Sequence, residues 1–221
     1  MQFYYDVFDI KIYKRYKYNS TISPSPLGRL ITMRQISFNR KSVFIAGTAL
    51  LGAMVAVLDW TFKIAGLKIP FPILPFLRFD LLGIPMLLSY FLFGFLSGFM
   101  TSMVAWLSIA YRDPFSGFMK FLAEFSTIVG VYLVLRTRRP SSYWWKGIAM
   151  ISGIFVRVVV MAIANILLLP IFMPEFYKTY TAVIVLIPFM SLFNAIQGIL
   201  SVFGGFFFYE AIVLRLPLLK Y

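Results

Sequence analysis

Five long apolar runs, separated by short charged or proline-rich stretches, set the pattern of this chain. They are Val43–Leu58, Leu81–Tyr111, Phe121–Leu135, Gly147–Phe172 and Thr179–Tyr209. The third is interrupted only by Glu124 and the fourth only by Arg157. A helix crossing a bilayer core of ~30 Å takes about 20 apolar residues. Each of the two 31-residue runs is therefore long for one straight helix and short for two. Read as one helix, Leu81–Tyr111 leads to five spans with 11 Lys or Arg inside and nine outside. Divided at Gly94-Phe95-Leu96-Ser97-Gly98, it leads to six spans with 14 bases inside and six outside. The positive-inside rule selects the second arrangement, and a pair of glycines suits a turn in little space. The last run is expected to stay one helix, bent at Pro188 and loosened at Gly204-Gly205.

The pattern thus predicts an all-α integral protein of the cell membrane with six transmembrane helices and both termini cytoplasmic. Residues 1–41 read as a basic cytoplasmic arm and 42–221 as the membrane domain. The loop before the second span, Pro70-Phe-Pro-Ile-Leu-Pro-Phe-Leu-Arg-Phe-Asp80, cannot be plain helix, because three prolines each remove a donor and fix φ. It reads as a structured cover at the outer face.

Composition sharpens this. Only 13% of the 221 residues are charged and 61% are hydrophobic, about half the charged fraction of an ordinary soluble domain. There is no Cys and no His, which removes disulfides, thiol nucleophiles, imidazole bases and the usual zinc or haem ligands. No metal site and no catalytic residue is expected, since Glu124 is the only central acid. The net charge of +13 sits beside apolar spans, where bases act as topology signals and anionic-lipid contacts and offer no solvated face to nucleic acid. Eight of the bases lie in the arm, interleaved with Tyr and Phe, which suits a piece lying on anionic lipid. The arm has no apolar h-region, so no removable signal peptide is expected. The chain has no GxxxxGK[ST] loop, so any ATP that drives it must be hydrolysed by another polypeptide.

Three groups of residues stand out inside the spans. Ala46, Ala49, Ala53 and Ala56 form a stripe on the first helix. Such a stripe suits close approach of another helix, which is packing within the same bundle when the stripe is taken alone, or docking of a separate subunit. Glu124 lies roughly 12 Å from the outer end of its helix and Arg157 roughly 15 Å from the inner end of its own. At those depths the two can form a buried ion pair, structural or part of a binding site. Asn165, Asn194 and Gln197 are amides that need partners in a membrane, and the last two share a face at i, i+3. They cross-link helices, or they form the polar end of an apolar pocket that reads the carbonyl and imide edges of a planar heterocycle. Phe71, Phe76 and Phe79 in the loop are interfacial aromatics or a cover for such a ring system.

On these segments the chain resembles the substrate-binding S components of energy-coupling factor (ECF) transporters, the riboflavin-type ones in particular. The carrying pieces are PFPILPFLRFD, LLGIPMLLSYFLFGFLSG, FLAEF, ANILLLPIF and FNAIQG, within about Ser42–Leu214. The resemblance implies the S-component fold and a vitamin held near the outer face, with flavin the first choice and another vitamin or heterocycle the second. It implies substrate contacts at Asn165, Asn194, Gln197, Glu124, Phe76, Phe79 and Asp80. It implies partners as well: a membrane T component, touched by Ala46, Ala49, Ala53 and Ala56, and two ATPase subunits. Of the riboflavin-type Asn-x-x-Lys pattern, Asn194 is present and Gln197 stands in the lysine position. Glu124 occupies a position where similar proteins often carry an amide. The alternative from a different class is a non-transport membrane scaffold of similar fold.

Overall fold

The computed structural model describes residues 40–137, 143–172 and 180–215. The basic arm and its expected lipid contacts fall outside the described residues but for its last two. Six helices run in order: α1 Arg40–Ile64, α2 Gly83–Phe93, α3 Phe95–Ala110, α4 Pro114–Thr137, α5 Tyr143–Phe172 and α6 Tyr180–Arg215. Segments of α1, α4, α5 and α6 are long and apolar enough to cross a membrane. Helices α2 and α3, of 11 and 16 residues, are about 16 and 24 Å long. The architecture is not purely α. Between α1 and α2, strands β1 (Ile69–Pro70) and β2 (Arg78–Phe79) pair antiparallel, Ile69 with Phe79 and Pro70 with Arg78.

The break inside Leu81–Tyr111 is narrower than the five residues expected. Gly94 alone leaves the helical region, at φ 91° and ψ −175°, which a side chain would strain; Phe95–Gly98 already belongs to α3. The two helices double back there. Eight residues of continuous helix would rise about 12 Å, yet a Cβ built on Gly98 would lie 2.9 Å from the Cβ of Tyr90. The hydroxyls of Thr48, Ser97 and Ser89 form a chain at 2.7 and 2.5 Å that ties α1 to this turn.

The distribution of polarity is the reverse of a water-soluble protein. The largest side chain among the almost completely buried ones is Arg157, and Asp59, Glu124, Asn194 and Gln197 are buried with it. Leu50, Val57, Phe155 and Phe207 are each more than 60% exposed. An apolar exterior around buried ions is the arrangement a bilayer requires. Helices α4 and α5 approach closely at Gly130 and Gly153, where an added Cβ on Gly130 would lie 2.7 Å from the Cα of Gly153.

Of the two readings of the alanine stripe on α1, packing within this bundle is not borne out: Ala46, Ala49 and Ala53 are exposed and Ala56 half-buried. The rotation of the helix is set by Asp59, which is fully buried and shares its face with Val55, Gly52 and Thr48. The small residues that meet the bundle are glycines, Gly47 against Phe93 and Gly52 against Val104.

Candidate functional site

Beneath the 65–80 loop, four ionised side chains form a continuous chain. Lys120 of α4 lies 2.7 Å from Asp80 at the end of the loop and 2.9 Å from Glu124 one turn further along α4. Arg157 of α5 lies 3.0 Å from the other oxygen of Glu124 and donates to the Thr127 hydroxyl at 3.3 Å. Ser201 of α6 donates to Glu124 at 3.4 Å. Glu124 and Arg157 are buried and Asp80 and Lys120 half-buried, and the chain alternates in sign, so its net charge is zero. Alternation matters in a low-dielectric interior, where an unpaired ion costs several kcal/mol. Gly83, the first residue of α2, lets that helix start against the cluster. A Cβ there would lie 1.9 Å from the Ser201 hydroxyl and 2.6 Å from Glu124 Oε2.

Gln197 of α6 clasps the loop backbone. Its amide nitrogen donates to the Asp80 carbonyl at 2.7 Å, and its amide oxygen accepts the Asp80 N–H at 3.4 Å. The Asp80 carboxylate also accepts the Leu82 N–H at 3.2 Å, which fixes the entry into α2. Asn194, one turn of α6 away, donates to the Met190 carbonyl at 2.9 Å. Asn165 is buried on α5 and makes no side-chain hydrogen bond among the described residues. It lies between Met161 and Leu169 on the face that also carries Arg157, all spaced by four. Of the three amides, one holds the loop, one its own helix, and one is uncommitted.

The loop covers this column with rings. Phe71 and Phe79 meet edge to face at 5.8 Å, and Phe193 of α6 lies 5.7 and 4.8 Å from them. Leu74, Leu169, Val183 and Met190 complete the cluster. Phe76 is half exposed. The loop's other end is held by a second ionic group: Asp59 pairs with Lys68 at 2.8 Å and with Arg112, whose guanidinium also lies over the Trp60 ring at 5.1 Å. An open groove of about 460 Å³ along Ala56, Trp60 and Ile64, and a cavity of about 70 Å³ near Ala149 and Tyr209, both lie away from the amides.

Sequence reasoning placed Asp80, Glu124, Asn165, Asn194, Gln197, Phe76 and Phe79 around one site. The structure puts Asp80, Glu124 and Gln197 in one network, Phe79 directly above it, and Asn165 and Asn194 on the two helices that frame it. It missed Lys120, counted only as an external base. The i, i+4 spacing of Lys120 and Glu124 was the available signal. It missed Phe193 too.

No protein-family model matches the chain, and no curated protein matches it. Among solved structures, the S component of a bacterial ECF transporter superposes on 80% of this chain and 98% of its own length, with a TM-score of 0.66 and 24% identity. The chain has the S-component fold.

Proposed function

We propose that this chain is the substrate-capturing membrane subunit of an ECF-type importer, holding a planar vitamin beneath the 65–80 loop, with riboflavin the first candidate. In this reading the chain spans the membrane six times with both termini in the cytoplasm, and α2 and α3 form a hairpin of short spans. A membrane T component and two ATPase subunits complete the importer. The observation that carries the reading is an S-component fold with a buried amide, Asn165, that has no side-chain hydrogen bond among the described residues and stands on α5 two turns from Arg157 and one turn from Leu169, which packs against the loop rings. The outward-facing Ala46, Ala49 and Ala53 support a helix-docking surface for the T component, with Ala56 at its edge.

Purified protein titrated with riboflavin should quench flavin fluorescence at micromolar concentration or below. Well-folded protein that fails to do so removes the flavin assignment. Asn165→Leu and Asn194→Leu should each weaken binding. Ala53→Trp should spare binding and disrupt assembly with the T component; the reverse outcome refutes this reading of α1. One observation favours a scaffold without ligand, namely that Gln197 and Asn194 are both bonded to backbone carbonyls of this same chain. A pull-down that recovers no ATPase, together with absence of any copurifying small molecule, would support it.

A further inference from the structure

The four charges beneath the loop belong to different kinds of element. Lys120 and Glu124 are on α4 and Arg157 on α5, but Asp80 sits at the end of the loop. With Asp80 in place the cluster is neutral; without its charge the helices alone present a net +1. Of the further cations at this end, Lys68 and Arg112 are held by Asp59, and Arg78 in β2 is exposed.

We propose that Asp80 is a specificity-determining residue that makes the site select ligands uncharged at the end facing Lys120 and exclude those carrying a phosphate or carboxylate there. This rests on the function proposed above and names its ligand class more closely. An anion entering beneath the loop finds Lys120 taken by Asp80 at 2.7 Å and Glu124 at 2.9 Å, and Arg157 taken by Glu124 at 3.0 Å. It must displace a carboxylate or lie beside one, and like charges repel strongly where water is excluded. A neutral hydroxylated or amide-bearing ligand disturbs no ion pair. Specificity here is obtained by an element that repels the wrong ligand, as much as by contacts to the right one.

Asp80→Asn isolates the charge. The Gln197 clasp rests on the backbone N–H and carbonyl of residue 80 and on a longer 3.5 Å contact to the side-chain oxygen, which an asparagine oxygen can still accept, so it survives the change. The test compares riboflavin with flavin mononucleotide, the same ring and ribityl chain ending in a phosphate, by fluorescence quenching on the full chain in lipid nanodiscs. The wild type should prefer riboflavin by about tenfold or more, and Asp80→Asn should narrow that ratio by about tenfold. Lys120→Gln, which shifts the balance toward negative, should widen it. Equal affinity of the wild type for the two flavins, or a ratio unmoved by Asp80→Asn and by Lys120→Gln, overturns the proposal. A parallel arm needs no flavin: inorganic phosphate should raise the melting temperature of Asp80→Asn and leave the wild type unmoved. If neither flavin binds, the flavin assignment falls and the phosphate arm decides alone. Selective stabilisation of Asp80→Asn upholds the charge balance, and an equal response of both proteins overturns it.

Discussion

Glu124→Gln keeps the shape of the side chain at the centre of the polar column and removes one charge. The geometry predicts which partner suffers. Glu124 lies 2.9 Å from Lys120 and 3.0 Å from Arg157, each ion pair a gross attraction of about 6 kcal/mol at an effective dielectric of ~20. After the substitution Lys120 still has Asp80 at 2.7 Å. Arg157 keeps only the Thr127 hydroxyl at 3.3 Å, and its Nε has no partner. A guanidinium 2% exposed is thus left without a counter-ion, which costs about 3–5 kcal/mol net. Arg157→Met is milder, roughly 2 kcal/mol, because Glu124 retains Lys120. The double variant removes both buried charges and should be more stable than Glu124→Gln alone. Unfolding in detergent micelles, followed by far-UV circular dichroism across a denaturant series, should yield a coupling energy of at least ~2 kcal/mol in this cycle. Additive losses, or a Glu124→Gln protein within about 1 kcal/mol of the parent, would refute the reasoning.

Gly94→Ala should lower stability by about 1–3 kcal/mol through backbone strain alone, because a Cβ at φ 91° would meet nothing within 4 Å; an unchanged melting temperature would remove the need for glycine at that turn. Gly83→Ala should cost about 3 kcal/mol, since its Cβ would lie 2.6 Å from that of Ser201, and adding Ser201→Gly should recover part of the loss in the same melting assay. Asp113, outside the spans at the start of α4, accepts both the Ser116 N–H and its hydroxyl. Partial burial works against its ionisation. The two Ser116 bonds, the Phe115 N–H and Lys63 outweigh burial and hold the carboxyl below its ordinary value. Its stabilisation is therefore complete above the usual carboxylate range of about 4 and fades as pH falls through the lowered folded value. Asp113→Ala should cost about 1 kcal/mol at pH 7, and the gap in melting temperature from the parent should shrink between pH 5 and pH 3.

Apolar run length and the placement of bases suffice to anticipate the order of the helices and the turn at Gly94, because both are local. Depth arithmetic along two helices likewise brings Glu124 and Arg157 to one level, and the structure has them in contact. The positions of Asp59 and Gln197 follow a different logic. Asp59 pairs with Arg112, 53 residues away, and Gln197 bonds to a backbone 117 residues away. No spacing rule announces a side chain whose partner is another segment's main chain. The direction in which the alanine stripe faces is hidden for a related reason. Small residues mark a face able to approach another helix, but which way that face points depends on Asp59, whose burial is decided by cations in two other segments.

The cost of the polar column bears on what it is for. A buried ion pair can often be replaced by apolar residues of similar volume at no loss of stability, or with a gain, and Met, Leu and Phe are abundant in this chain. A bundle built only to stand in a bilayer has no need of four ions and three amides in its interior. Their placement is also not scattered. The ions form one chain whose last member rides on the only long described connection between helices, and Asn165, the amide without a side-chain hydrogen bond among the described residues, is one turn of α5 from Leu169, which packs against the rings of that connection. On the function proposed above, Asn165, buried and without a side-chain hydrogen bond among the described residues, is where the polar edge of a ligand should be sought first.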